Sequence, residues 1–285
     1  MRNLNIKPCF AIVLALGLCA SARAQTLNIQ LTDSLAGVGK RLSRAYMEGH
    51  PGLKIQTTAG SLEAALDALD RKEAPIILLP RAIRYKEARA CQEALGKRPD
   101  EYKIGVEGVA VYVNTANPVK ALTYEELEAV FTGKYTNWKL VGGDDGAVNV
   151  YSQNTNAAWA ELFRDEVLNG KPVVVSQVTA PAGAEPTQAV ASDNQGIAIG
   201  PLAKLQGARP LEVKRVVSST PVEPNQENIS NRIYPITRYL YAYVGPLGTE
   251  PRMTAFVEWI RSEAGQQVIQ QAGFYPLPAK LRSGR

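Results

Sequence analysis

Hydroxyl and amide side chains stand just before three segments whose apolar spacing predicts helices. These side chains are Thr32 and Ser34, Ser61, and the run Gln153, Asn154 and Thr155. The first turn of a helix has unpaired backbone N–H groups and a partial positive charge, so hydroxyls placed there suit a bound anion. Residues of these types are also the preferred helix caps, which need no ligand. The residues alone leave both interpretations open, an anion site and plain caps.

Residues suited to catalysis are sparse. The single histidine, His50, lies in a predicted turn between the first helix and the second strand, and Cys91 has no histidine near it in sequence. A metal cluster or a cysteine–histidine pair therefore has little support. Serines are plentiful, but the Gly-x-Ser-x-Gly pattern of many hydrolases does not occur. We expect a protein that is not an enzyme and uses no cofactor, and a nucleophile assembled from distant segments is the alternative.

The segments that must position the polar clusters alternate between strand and helix. In the first part of the chain, the predicted strands are 27–31, 53–57 and 76–79, and the helices are about 35–48 and 62–72. In the middle part, the strands are 148–151, 173–178 and 197–199, and the helices are 157–168 and 188–192. This alternation predicts two α/β lobes with mainly parallel sheets and helices on their faces. A cleft between two such lobes is a natural place for a small ligand.

Residues 107–138 link the two parts. The valines between 109 and 113 alternate with other residues at the period of a half-buried strand, and Asn117-Pro118 then ends the strand because proline has no N–H. Thr123 and Glu126 form a capping box, which predicts the start of a helix. A polar stretch with two prolines, 221–231, predicts a loop before the chain returns to the first lobe.

The 107–138 segment resembles the interlobe segment of the phosphate-binding proteins that serve ABC importers, through the pattern V-N-x-x-N-P-V-x-x-L-T-x-E-E-L-x-x-V-F-T-G-K-x-x-N-W. Residues 234–241 are similar to the strand by which that family returns to its first lobe, and 256–278 resemble its closing helix and tail. The resemblance implies a two-lobed, type II periplasmic binding protein with a double-crossover hinge. Lobe one is then residues 25–113 plus 234–285, and lobe two is residues 114–233.

The resemblance also implies one oxyanion site in the interlobe cleft, with phosphate favoured and an ABC permease of the inner membrane as partner. Its ligand-binding residues are then Thr32, Ser34, Ser61, Arg81, Gln153, Asn154 and Thr155. Glu63 complicates this assignment, because a carboxylate in the first turn of a helix competes with a bound anion unless it turns to solvent. Arg81 is either the positive charge near the cleft or an ordinary solvated or capping arginine.

Several positions depart from the family pattern. Gln153 stands where the family has an arginine clamp, and Ala157 and Trp159 replace a serine and a threonine. A charged hydrogen bond contributes about 1.5–3 kcal/mol, so losing the clamp lowers affinity by about one to two powers of ten. The aspartate that accepts the proton of hydrogen phosphate in some relatives is also missing, and on that strand only Arg81 matches.

These departures leave a second hypothesis open, in which the fold serves as a periplasmic sensor or accessory protein, or binds a neutral polar ligand. Trp159 bears on the choice, since its indole either fills the cleft or packs in the core. Trp159, Phe163 and Val167 share one helical face, which favours the core. Glu107 occupies a position that is often acidic in these relatives, and we expect it to orient the hinge.

The N-terminal residues predict export. Residues 1–24 combine early basic residues, an apolar run from Phe10 to Leu18 and a small-x-small site, so we expect a secretory signal cleaved after Ala24 and a periplasmic protein. Acylation at Cys19 is the alternative, but Leu18 is larger than the residue expected before a lipidated cysteine. Those 24 residues hold three basic and no acidic side chains, so their removal lowers the net charge from +5 to +2. A charge this small gives nucleic acid little support as a partner.

Overall fold

The computed structural model describes residues 25–152, 158–173, 178–179, 185–203, 205–246 and 251–283. The predicted signal, residues 1–24, lies outside these ranges, as does most of the predicted strand 173–178. None of the helices within the ranges is long and apolar enough to cross a membrane.

One five-stranded sheet is built from both ends of the chain. Its strands are β1 (Gln25–Thr32), β2 (Leu53–Gly60), β3 (Ile76–Leu79), β4 (Asp100–Gly108) and β12 (Thr237–Val244). Their order is β2-β1-β3-β12-β4, with β1 parallel to β2 and β3, and β12 antiparallel to β3 and β4. The sheet is therefore mixed, because the returning strand enters it from the opposite direction.

Helices cover both faces of this first sheet. They are α1 (Ala36–Glu48), α2 (Leu62–Asp70), α3 (Tyr85–Leu95), α8 (Pro251–Arg261) and α9 (Glu263–Gln271). Helices α1, α8 and α9 pack on one face with Ile76 and Leu78, and α2 and α3 pack on the other with Ile77 and Leu79. All four residues of β3 are buried, as expected for a strand with helices on both sides.

The second five-stranded sheet belongs to the middle of the chain. Its strands are β5 (Ala110–Asn114), β7 (Asn149–Ser152), β8 (Val178–Thr179), β9 (Gly196–Gly200) and β10 (Ala208–Pro210). Their order is β10-β5-β9-β7-β8; β5 is antiparallel to both neighbours, and β7 is parallel to β8 and β9. Strands β6 (Ala121–Thr123) and β11 (Glu212–Lys214) form a small parallel pair beside it.

Helices α4 (Tyr124–Phe131), α5 (Ala158–Glu166), α6 (Pro186–Ala189) and α7 (Gln226–Ser230) complete the second lobe. The predicted capping box at α4 is confirmed: the Thr123 hydroxyl accepts a hydrogen bond from the Glu126 N–H, and the Glu126 carboxylate accepts one from the Thr123 N–H. The predicted loop 221–231 contains α7, because the Asn225 side chain caps a short helix by accepting from the Asn228 N–H at 2.8 Å.

The chain passes twice between the lobes. The sheets put the first crossing at Val109, between β4 and β5, whereas the sequence placed it after Val113. Strand β5 is buried on both faces, so the expectation of a half-buried strand was wrong. Tyr112 can be buried because its hydroxyl donates to the Pro201 carbonyl at 2.9 Å and accepts from the Ala203 N–H at 2.7 Å.

The second crossing leads from α7 into β12. The sequence predicted that this strand begins at Tyr234, and in the structure it begins later, at Thr237. The expected single closing helix is divided into α8 and α9 at Ser262, whose side chain caps α9 by accepting from the Gly265 N–H. Strand β4 was not predicted, and for α3 the sequence indicated only that Cys91 lies in a helix, without bounds. Helix α3 starts at an arginine, Arg84, and not at one of the usual capping residues.

Candidate functional site

Three polar segments meet where parallel strands of the first sheet end. In the register of the sheet, Thr32 at the end of β1 pairs with Gly60 at the end of β2, and Leu31 pairs with Leu78 near the end of β3. Ser34, Ser61 and Arg81 follow directly after these strand ends. We call this set of strand ends, with the residues that follow them, the cleft edge. The carboxyl edge of an open α/β sheet is the usual place for a ligand.

Thr32 and Ser34 form a pair of hydroxyls at the cleft edge. Their oxygens are 3.1 Å apart, Thr32 is buried and Ser34 is half-buried. Thr32 makes no side-chain cap to the 3-10 turn Asp33–Leu35 that precedes α1. Only one hydroxyl of such a pair donates to the other, so the second keeps a hydrogen for another partner. The plain-cap interpretation therefore does not describe Thr32.

Ser61 is a helix cap in this structure. Its exposed side chain accepts from the Ala64 N–H at 3.1 Å and so starts α2. Glu63 lies in the same first turn and is exposed, and hydrogen bonds from its own backbone N–H and from the Ser61 hydroxyl hold its pKa below the usual range. The carboxylate expected to compete with an anion is thus ionised and stays close to Ser61.

Arg81 is held within its own lobe. Its Nη1 and Nη2 donate to the two carboxylate oxygens of Glu87 at 2.9 and 2.7 Å, and Nη1 also donates to the Ala82 carbonyl at 2.9 Å. Glu87 also accepts from the Arg84 N–H at 2.6 Å, which fixes the start of α3. This pairing raises the pKa of Arg81 and lowers that of Glu87. Glu87 neutralises the charge of Arg81, so Arg81 chiefly stabilises the structure of its own lobe.

Gln153, Asn154 and Thr155 lie outside the described residues, as does Ala157. The helix that follows them, α5, lies against the Asp33–Leu35 turn and against β4, so the second lobe approaches the cleft edge from this side. Trp159, in the first turn of α5, is half-buried and packs on the core of the second lobe. The core interpretation of this tryptophan therefore agrees with its packing.

A buried arginine at the hinge was not predicted from the sequence. Arg238 on β12 is 7% exposed and pairs across the sheet with Glu107 on β4, and its Nε is 2.7 Å from Glu107 Oε2. Burial raises the pKa of Glu107, and the Arg238 guanidinium opposes that rise. We call Glu107 and Arg238 the hinge pair. An arginine alternating with aromatic residues in a predicted strand was the available signal, since an arginine that is buried needs a partner.

The hinge pair also reaches the second lobe. Arg238 Nη2 donates to the carbonyl of Ala158, the first residue of α5, at 3.3 Å. Two carboxylates of the same helix, Glu161 and Asp165, lie 3.8 Å from the Arg238 guanidinium. The buried guanidinium thus joins both crossing strands to the helix that borders the cleft.

The other reactive residues have structural surroundings. Cys91 is fully buried in α3, and burial raises its pKa to about 12, so it is a protonated thiol. His50 stacks on Tyr46 with ring centroids 3.9 Å apart. Among the residues that the structure describes, no group of three His, Cys, Asp or Glu side chains is placed to hold a metal ion.

Comparison with known proteins adds two kinds of similarity. A family model for the PBP superfamily domain matches residues 20–264. The phosphate-binding protein PstS of Pseudomonas aeruginosa is 27% identical over 283 residues, which cover 92% of this chain and 86% of that protein. The protein SphX of Synechococcus elongatus is 24% identical over 272 residues, with coverage of 92% and 80%.

Solved structures share the fold at lower identity. A possible phosphate-binding protein from Planctomyces limnophilus superposes with a TM-score of 0.76 at 19% identity, covering 90% of this chain and 95% of the other. An ABC-type phosphate transport receptor from Vibrio cholerae gives 0.71 at 20% identity, covering 88% and 100%. These similarities confirm the two-lobed α/β binding-protein fold expected from the sequence.

Proposed function

Since the chain belongs to the PBP superfamily, we propose that it is an extracytoplasmic solute-binding protein. It holds a small oxyanion, with phosphate favoured, between its lobes and delivers it to an ABC permease. The observation that carries the proposal is the cleft edge, where hydroxyls and helix starts lie side by side on neighbouring strands. Several curated relatives, among them the one from Pseudomonas aeruginosa, are named phosphate-binding proteins, which supports this ligand class over a neutral ligand or a sensor role.

The proposed site relies on neutral donors. Arg81 is paired with Glu87 and Arg238 with Glu107, so neither brings a free positive charge to the cleft edge. The anion is held by the hydroxyls of Thr32, Ser34 and Ser61 and by N–H groups at the starts of α1 and α2. Gln153, Asn154 and Thr155 complete the set from the second lobe. Without a charged clamp, we expect weaker binding than a bidentate arginine would give.

Titration calorimetry on the exported protein tests the proposal. Bound anion is first removed by unfolding and refolding, and phosphate, sulfate, arsenate and molybdate are then titrated separately. We expect heat of binding with phosphate. No heat with any of the four anions at millimolar concentration would contradict the proposal.

Two serine variants make the test specific. Ser61 and Ser262 both cap helices, α2 and α9, but only Ser61 lies at the cleft edge. Ser61→Ala and Ser262→Ala should each lower the free energy of unfolding by about 1 kcal/mol. Only Ser61→Ala should also weaken anion binding, by about tenfold or more. Equal affinities in the two variants would remove Ser61 from the site.

We also propose that the mature protein is periplasmic and begins at Gln25. The support is the signal-like composition of residues 1–24, which lie outside the described structure. Mass spectrometry of the exported protein would identify its first residue and detect any lipid on Cys19.

A further inference from the structure

A cavity of about 510 Å³ lies between the lobes, beside the cleft edge. Its two walls carry opposite charges. On the wall formed by the first sheet and the return crossing are Arg81, Arg84, Arg232 and Arg238, and on the wall formed by α5 are Asp165 and Glu166. The basic groups face the acidic groups across the interlobe space.

The groups that remain unpaired are the ones at the surface. Arg81 and Arg238 are neutralised by Glu87 and Glu107. Arg84, Arg232 and Glu166 are exposed, and the described residues include no ion-pair partner for any of them. Asp165 lies 3.5 Å from Arg164 of its own helix, so Glu166 carries the unpaired negative charge of the α5 wall. The unpaired charges of the two walls are opposite in sign and therefore attract each other.

Arg232 is held in position although it is exposed. Its guanidinium lies 4.6 Å from the centre of the Tyr239 ring, and its Nη2 donates to the Thr237 carbonyl at 3.1 Å. Both partners belong to β12, so this arginine is fixed on the first-sheet side of the cavity. A cation above an aromatic ring keeps its charge while losing much of its freedom, which prepares it to pair with an approaching carboxylate.

The lobes already make ionic contact at one point. Arg238, on the first-sheet side, is 3.8 Å from both Glu161 and Asp165 on α5. Glu161, Asp165 and Glu166 all belong to this helix, which carries the second lobe toward the Asp33–Leu35 turn of the cleft edge. Any movement that brings α5 nearer to the first sheet shortens these distances together.

We propose that the exposed Arg84 and Arg232 on one side, and Asp165 and Glu166 on the other, form an electrostatic clasp that draws the lobes together. The clasp biases the anion-free protein toward closure and so contributes to anion affinity. This inference rests on the proposed function, because closure seals the anion site. Attraction between exposed charges is screened by salt within a few ångströms at about 1 M ionic strength, so the bias depends on ionic strength.

Small-angle scattering on the anion-free protein tests the clasp without using ligand. We expect the radius of gyration to increase between low salt and ~0.5 M NaCl, where screening is strong. The double variant Arg84→Glu, Arg232→Glu should have the larger radius already at low salt and should no longer respond to salt. Adding Glu166→Arg to that variant restores a pair of opposite charges across the cavity and leaves Asp165 beside Arg238, so it should recover part of the compact, salt-sensitive form.

A control changes the same amount of charge elsewhere. Arg44 and Arg71 are exposed, and among the described residues their ion pairs are with Glu48 and Asp67, each four residues away. The variant Arg44→Glu, Arg71→Glu should keep the compact form and the salt response. If the radius is the same in all four proteins at both salt concentrations, or if the control opens as far as the clasp variant, the proposal is wrong.

Anion affinity gives an independent second readout. Each clasp pair removed should weaken phosphate binding by about two- to fivefold, as expected for exposed ion pairs. Phosphate binding with an unchanged radius in the clasp variants would overturn the clasp and leave the proposed function intact. If the protein shows salt-dependent compaction but binds no anion, the clasp is supported and the proposed function is wrong.

Discussion

At the cleft edge, Arg81 is hydrogen-bonded to Glu87 of the same lobe at 2.9 and 2.7 Å, whereas at the hinge Arg238 is buried on β12 and contacts both β4 and α5. The first arginine is half-buried and fixes the start of α3, and the second is almost fully buried and holds two lobes in relation to each other. In both regions the arginine forms an ion pair with a glutamate of the protein and so stabilises its structure. The anion proposed for the cleft is therefore left with hydroxyls and backbone N–H groups.

The hinge pair should respond most strongly to mutation. Arg238→Met leaves the Glu107 carboxylate buried without its partner, and breaking a buried pair in this way costs about 3–5 kcal/mol. Urea denaturation of the wild type and the variant measures this loss. The double variant Arg238→Met, Glu107→Leu removes both charges and should recover most of the stability. A loss below about 1 kcal/mol for the single variant would mean that the pair is not desolvated in solution.

Thr32 and Ser34 test the role of the uncharged hydroxyls at the cleft edge. The double variant Thr32→Val, Ser34→Ala removes two hydroxyls but no charge, so we expect a small change in unfolding free energy. Hydrogen bonds to a charged ligand contribute about 1.5–3 kcal/mol, so phosphate affinity should fall by about one to two powers of ten. Calorimetry measures the affinity. A large stability loss with unchanged affinity would make these hydroxyls structural.

How far the sequence predicted each region depends on how local the signals are. The α/β alternation and the Thr123–Glu126 capping box rest on neighbouring residues, and both could be inferred. Glu107 and Arg238 are 131 residues apart, and their contact exists only once β4 and β12 pair. The ion pair that neutralises Arg81 is local, but it was not predicted either, because α3 starts at Arg84, which is not one of the usual capping residues.

The Arg81–Glu87 pair predicts a moderate dependence of stability on pH. The pKa of Glu87 is lowered by its hydrogen bond with Arg81, so the stability that the pair contributes is fully present above the usual carboxyl pKa and is lost as the pH falls through the lowered pKa of Glu87. The wild type should lose unfolding free energy on acidification, and the Glu87→Gln variant should lose less. Because the pair is partly exposed, we expect about 1 kcal/mol or less. Parallel stability curves for the two proteins would show that Glu87 does not contribute.

Glu63 gives the smallest effect, and its sign separates the two regions most clearly. Its ionised carboxylate lies beside Ser61 at the favourable end of the α2 dipole, where a bound anion would compete with it. Glu63→Gln should therefore tighten phosphate binding slightly while lowering the free energy of unfolding slightly. Glu263, the first residue of α9 after the cap Ser262, is a comparable first-turn carboxylate away from the cleft edge. Glu263→Gln should lower stability by a similar amount and leave affinity unchanged, since its helix start meets no ligand. If Glu63→Gln weakens phosphate binding, the carboxylate contributes to the site as an acceptor, for example of a hydrogen bond from hydrogen phosphate. It then does not compete with the anion.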